Sequence, residues 1–92
     1  MNIENAYIVG LKATTYIMGQ EDLLIRFIAV SGLNEDEIKM RLQDKYFLSA
    51  CLEFLLNNEK DLMSFCDDSN INHKDPLNAA HILGGGNNWS SP

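Results

Sequence analysis

The stretch Glu21-Asp22-Leu23-Leu24-Ile25-Arg26-Phe27-Ile28-Ala29-Val30-Ser31-Gly32-Leu33-Asn34 decides the fold. Leu23, Leu24, Phe27, Ile28 and Val30 recur at helical spacing and turn one face inward, with Arg26 outward. Glu21 and Asp22 stand in the first turn, where the positive end of the helix dipole favours carboxylates. The ending is explicit in its chemistry. Gly32 readily takes the left-handed conformation, and Leu33 follows as the apolar residue that packs back on the helix. Asn34 and Glu37 then form an Asn-x-x-Glu capping pattern. A helix over about 20–31 therefore gives way to a short one over 35–42, whose core residues are Ile38 and Leu42.

The same pattern returns 38 positions later. Glu21, Leu24, Phe27 and Ser31 fall on Glu59, Leu62, Phe65 and Ser69, and Leu33-Asn34 fall on Ile71-Asn72. Gly32 falls on Asn70, the other residue type that tolerates the left-handed region. Upstream, Tyr16 and Ile17 fall on Phe54 and Leu55. The chain reads as two repeated helical units, about 4–41 and 42–83, each burying its stripe against the other. Two units are too few for a solenoid. The expected fold class is all-α: a compact bundle of about six short helices in one domain over 1–83.

Working outward, 4–18 carries a helical stripe through Ala6, Tyr7, Leu11, Thr14, Ile17 and Met18. Ala6 and Gly10 lie one turn apart on one face, so another helix can approach closely there. Asp44 caps a helix over 45–56 that is apolar on nearly every side, with Ser49 and Glu53 as its narrow polar stripe. Such a helix is the one the others pack around. A helix over 59–69 turns Leu62, Met63, Phe65 and Cys66 inward. The last starts near His73, or at Pro76 if Asp75 is its cap, and contributes Leu77, Ala80, Ile82 and Leu83. Residues 84–92 read as a Gly/Asn/Ser-rich flexible tail.

Thirteen acidic residues against seven basic give a net charge of −6. That balance disfavours nucleic acid and anionic membranes as partners. Lys39, Arg41 and Lys45 lie among Glu35, Asp36, Glu37 and Asp44 and form a mixed solvated surface. The N-terminal residues carry no secretory pattern, and no apolar run approaches the roughly 18 residues a membrane span needs. With no disulfide framework either, a cytoplasmic protein is expected.

No motif marks a reaction. His73 and His81 share no spacing that pairs metal ligands on one helix face, so no metal or cofactor is expected. Cys51 and Cys66 sit within apolar helical patterns and read as small core hydrophobes, the competing reading being a redox pair across the turn between their helices. Glu35-Asp36-Glu37 open a helix, where their charge is favourable. Asp67-Asp68 close one, where it costs about 0.3 to 1 kcal/mol, which chance surface variation explains and which a cation or a basic partner would also justify. Gly84-Gly85-Gly86 has no strand before it and no Lys-Ser/Thr after it, so it is not a phosphate loop. Trp89 is the single tryptophan. Tryptophan is enriched among interface anchors, so docking in the same molecule or in a neighbouring copy is expected for it.

The Leu-Leu-x-Arg-Phe helix of 23–27, the Ser-Gly-Leu turn of 31–33, Phe54-Leu55-Leu56-Asn57-Asn58-Glu59 and Phe65-Cys66 carry a likeness. From about Ala6 to Leu83 the chain resembles the alphaproteobacterial domain of unknown function 3572 family. It departs from that pattern in having Asn34-Glu35 in place of Asp-Pro after the turn, and in its Asn-rich tail. The resemblance implies a short helical cytoplasmic protein and carries over no functional residues.

The leading expectation is a protein-interaction module without catalytic activity, acting on a protein partner or as a homodimer. Its candidate interface residues are Arg26, Asp67, Asp68 and Trp89. The alternative is a small-ligand binder or minor enzyme with a pocket between the two units, lined by Tyr7, Tyr16, Phe54, Met63 and the two thiols. An acidic mimic of nucleic acid would need its charges on one face, and here they are spread over every helix start.

Overall fold

The computed structural model describes residues 1–84. Six helices follow one another: α1 (Ile3–Gly19), α2 (Glu21–Ser31), α3 (Glu35–Met40), α4 (Lys45–Leu56), α5 (Glu59–Ser69) and α6 (Asp75–Leu83). Among the described residues there is no strand, and no helix is long and apolar enough to cross a membrane. Residues 85–92, with Trp89 and most of the expected tail, lie outside the described residues; Gly84 itself caps α6, its N–H donating to the Ala80 carbonyl at 2.9 Å.

Local chemistry sets the boundaries. The Asn2 side chain accepts from the Asn5 N–H, the Asp44 carboxylate from the Tyr46 and Phe47 N–H groups, and the Asn58 side chain from the Asp61 N–H. Each satisfies donors that a helix start leaves without partners. Asn34 and Glu37 form the full reciprocal box, with bonds of 2.9 and 3.1 Å. Gly32 ends α2 at φ +75° and Asn70 ends α5 at φ +55°, both left-handed. At the second of these ends the Ile71 N–H reaches back to the Cys66 carbonyl at 2.9 Å, and Ile71 packs on the core.

The core is built where α1, α4 and α6 meet, each packed along the other two. Gly10 makes this approach feasible. A Cβ there would lie 3.0 Å from the Leu48 Cβ on α4 and 3.0 Å from the Leu83 Cδ1 on α6. Ala6 and Ala13 on α1 and Ala79 and Ala80 on α6 are buried around the same junction. Small side chains let helix axes close, and Leu48, Leu52, Leu55 and Leu83, all fully buried, fill the space between them. Against this trio, α2 packs on α1 and α5 packs on α4.

Some contacts follow the 38-residue shift and others do not. Phe27 of α2 meets Phe54 of α4 edge-on, with centroids 5.2 Å apart, and Phe65 of α5 meets Tyr16 of α1 at 5.5 Å. These two pairs exchange under the 38-residue shift, as do Gly10 and Leu48, which touch. The third helices do not correspond. α6 is wedged between α1 and α4, whereas α3 touches the rest lightly and is anchored by the buried Ile38. Two copies of one three-helix unit are therefore not established.

Several side chains expected inside are outside. Val30 is 72% exposed, Leu77 50% and Met63 39%, because each lies at the margin of its stripe, beyond the reach of a neighbouring helix. Ser49 is the reverse case. Far from forming a polar stripe on α4, it is buried, and its hydroxyl donates to the Ala80 carbonyl at 2.8 Å, so α6 covers it without leaving a polar atom stranded. Tyr46 and Ala50 are what α4 exposes, and Asn57 at its C-cap is exposed as well. α3 stops at Met40, short of Leu42, which is half-buried in the turn that follows. Asp75 is the first residue of α6 and not its cap. The entry is built by Asn72, whose side chain accepts from the Lys74 N–H at 2.9 Å and whose carbonyl accepts from the Asp75 N–H at 2.9 Å.

Candidate functional site

Two surface depressions flank α2. The first is a cleft of about 920 Å³ between the α1–α2 corner and the start of α5, bordered by Tyr16, Asp22, Arg26, Lys60, Asp61 and Ser64. Its arginine is already engaged. The Arg26 guanidinium donates to the Asp61 carboxylate at 2.6 Å and lies 5.7 Å from the Phe54 ring centre, so this candidate interface residue is held within the molecule. Burial, followed by the negative charge of Asp68, holds the Tyr16 phenol above its ordinary value, so Tyr16 acts as a hydroxyl and not as a base at neutral pH.

The second depression is a groove of about 570 Å³ between the C-terminal half of α2 and the outer side of α4. Its floor is aromatic. Phe27 stands edge-on to Phe47 at 6.0 Å and to Phe54 at 5.2 Å, a geometry in which ring edges meet ring faces. The rim carries Val30, Leu33, Tyr46 and Ala50, and among the described residues Glu53 is the one charged residue of the lining. Gly84 also belongs to the lining. Val30 and Tyr46 are 72% and 58% exposed, so solvent meets an apolar strip above an apolar floor. The strip forms because α2 is cut short by Gly32 and leans on α1, which leaves its last turn facing α4 without an intervening helix.

Asp67 and Asp68 lie exposed in the last turn of α5, on neither of these linings. Asp67 has His73 nearby at 3.5 Å, across the α5–α6 connection. Trp89 lies outside the described residues. The residues expected to line one ligand pocket are dispersed: Tyr16 borders the cleft, Phe54 floors the groove, the Tyr7 hydroxyl donates to the Gln43 carbonyl at 2.9 Å, and Met63 is exposed. Both thiols are buried. Burial pushes Cys51 up to about 11 and raises Cys66 as well, so neither is a thiolate nucleophile at neutral pH.

Among the described residues no group of three or more His, Cys, Asp or Glu side chains is arranged to hold a metal ion. Sequence reasoning missed the groove altogether. Its one available signal was the apolar excess of α4 together with Val30 and Tyr46, but assigning those to solvent requires the packing of α2 against α1. Residues 3–86 match the model of a family described as protein of unknown function, DUF3572. No curated protein matches the chain, and no solved structure does.

Proposed function

The chain belongs to the DUF3572 family of proteins of unknown function, and we propose that it serves as a protein-interaction module without catalytic activity, using the α2–α4 groove as its contact surface. The observation that carries this reading is the exposed apolar strip of Val30, Ala50 and Tyr46 above the Phe27–Phe47–Phe54 floor. Aromatic pockets with an apolar rim are where interfaces concentrate their binding energy. Among the described residues the groove lining has a single charged residue, Glu53, so the matching partner is a protein segment that presents apolar side chains and few acids, as an amphipathic helix does. The two buried, reduced thiols suit a reducing compartment, and the proposal places this activity in the cytoplasm.

Position-specific capture tests this. A photo-reactive residue at Val30 is expected to give one discrete protein adduct in the native cell, and the adduct is expected to vanish when Ala50→Glu is added. The same probe at Leu77, exposed but outside the groove, serves as the control. Adducts of equal yield at both positions, or none at Val30, would remove the groove as the contact surface. If the captured protein is a second copy of the chain, the partner is itself and light scattering will report a dimer.

A small-ligand role draws its support from the Tyr16–Arg26–Asp61 cleft. It is the weaker reading, because the Arg26 cation that would recognise an anion is already engaged by Asp61. A thermal-shift screen addresses it: a ligand at 100 times its dissociation constant adds about 2.7 kcal/mol of stability.

A further inference from the structure

We infer that Arg26 is a positioning residue for the groove: clamped by Asp61 on one side, it holds the Phe54 ring on the other, so that an ion pair in the cleft sets the floor of the groove. The inference rests on the groove being the contact surface and names what shapes it.

Geometry comes first. One guanidinium joins three helices. Arg26 on α2 donates from Nη2 to the Asp61 carboxylate on α5 at 2.6 Å, and its Cζ lies 5.7 Å from the centre of the Phe54 ring on α4. That separation is within the reach of a cation–ring attraction. Arg26 and Asp61 border the cleft, and Phe54 lines the groove. Neither Arg26 nor Asp61 belongs to the groove lining, so a partner seated there meets their influence only through the ring.

The floor needs this support at one ring. Phe27 and Phe47 are buried, whereas Phe54 is only half-buried. Phe27 meets it edge-on at 5.2 Å, and the guanidinium adds a second restraint. An arginine by itself would restrain little, because holding its long side chain in one rotamer is entropically unfavourable. Asp61 removes that freedom. Its side chain is 17% exposed against 47% for Arg26, so the more enclosed partner fixes the more exposed one. This is also the only ion pair among the described residues that ties α2 to another helix. A pair with one exposed partner adds little to global stability, so it can be removed without unfolding the chain.

4-Fluorophenylalanine placed at position 54 of the full chain reports on the ring by fluorine NMR. Asp61→Asn, which keeps the shape and removes the charge, is expected to shift its signal. The yield of the adduct formed through position 30 is expected to fall about two- to five-fold, the factor that one exposed cation–ring contact amounts to. Arg26→Gln is expected to do the same, and adding Asp61→Asn to it is expected to change nothing further, because residues that act through one contact are not additive. Arg26→Lys, which keeps the cation without the planar fork, is expected to retain part of both readouts. Circular dichroism and melting temperature are expected to stay near those of the unaltered chain. An unmoved fluorine signal in Asp61→Asn would overturn the inference. So would a further loss when the two substitutions are combined, or an undiminished adduct despite a moved signal. The two proposals fail separately. An unaltered chain that forms no adduct through position 30 removes the groove as the contact surface, whereas a moved fluorine signal in that case leaves Arg26 as the residue that positions the ring.

Discussion

α3 and α6 are introduced by the same asparagine, Asn34 and Asn72, 38 positions apart, yet α6 lies wedged between α1 and α4 while α3 stays at the edge. Their later residues explain the divergence. Where α6 buries the small side chains Ala79 and Ala80, the equivalent positions after α3 are Arg41 and Leu42. An arginine and a leucine are too bulky for an axis approach that leaves 3.0 Å for a Cβ, and the arginine would also have to shed its water. The comparison teaches that cap chemistry starts a helix, whereas side-chain volume further along decides how deep it goes. It also accounts for the groove, since α6 covers one side of α4 and no counterpart covers the side facing the end of α2.

The largest test of that difference uses the two phenylalanines that the repeat equates. Phe65→Ala is expected to destabilise by about 3 to 5 kcal/mol, and Phe27→Ala by less, because Phe65 is fully enclosed and Phe27 opens onto the groove. Urea denaturation of both variants checks the order; equal losses would erase the distinction between the two environments.

The thiols sharpen the contrast from another side. Ala13 is the counterpart of Cys51, so only the second half puts an ionisable group at the helix junction. Burial raises Cys51 from 9.0 to about 11, so folding favours its protonated form. The associated stability is complete below pH 9 and is lost as pH rises through 11, by about 2 to 3 kcal/mol. Cys51→Ala is expected to flatten this alkaline decline in pH-resolved melts. An unchanged slope would show that the thiol stays in contact with water.

Glycines give a smaller and two-signed prediction. Gly10→Ala is expected to cost about 1 to 3 kcal/mol because the backbone-near Leu48 Cβ must retreat. Gly19→Ala, where an added Cβ meets nothing within 4 Å, is expected to gain about 0.5 to 1 kcal/mol from helix propensity. Thermal melts of the pair test whether the close approach is real. At the two left-handed caps, Gly32→Ala is expected to lose and Asn70→Gly to gain about 1 kcal/mol, since only glycine occupies positive φ without a Cβ penalty.

Local signals carried much of the fold into the sequence. The ends of α2 and α5, the Asn34–Glu37 box and the Asp44 cap depend on residues within one turn of each other, and each stands where the pattern put it. Ala6 and Gly10 announced a close helix approach, and the structure supplies it. What depended on neighbours was not legible. Ser49 looked like a solvent-facing hydroxyl until α6 offered the Ala80 carbonyl, and Val30 looked like core because periodicity does not reveal where a stripe loses its partner. The groove is the sum of such absences along α2 and α4, so it emerges only from the packed molecule. Arg26 was legible as outward but not as tethered, because Asp61 lies 35 positions away in the chain.

The most direct test of the account compares a groove-blocked chain with the unaltered one in the native cell. In the double variant Val30→Glu/Ala50→Glu, both positions are exposed, so stability is expected to stay within about 0.5 kcal/mol. Recovery of the protein captured through position 30 is nonetheless expected to fall to background. Undiminished recovery by a folded double variant would contradict the assignment of this groove as the working surface.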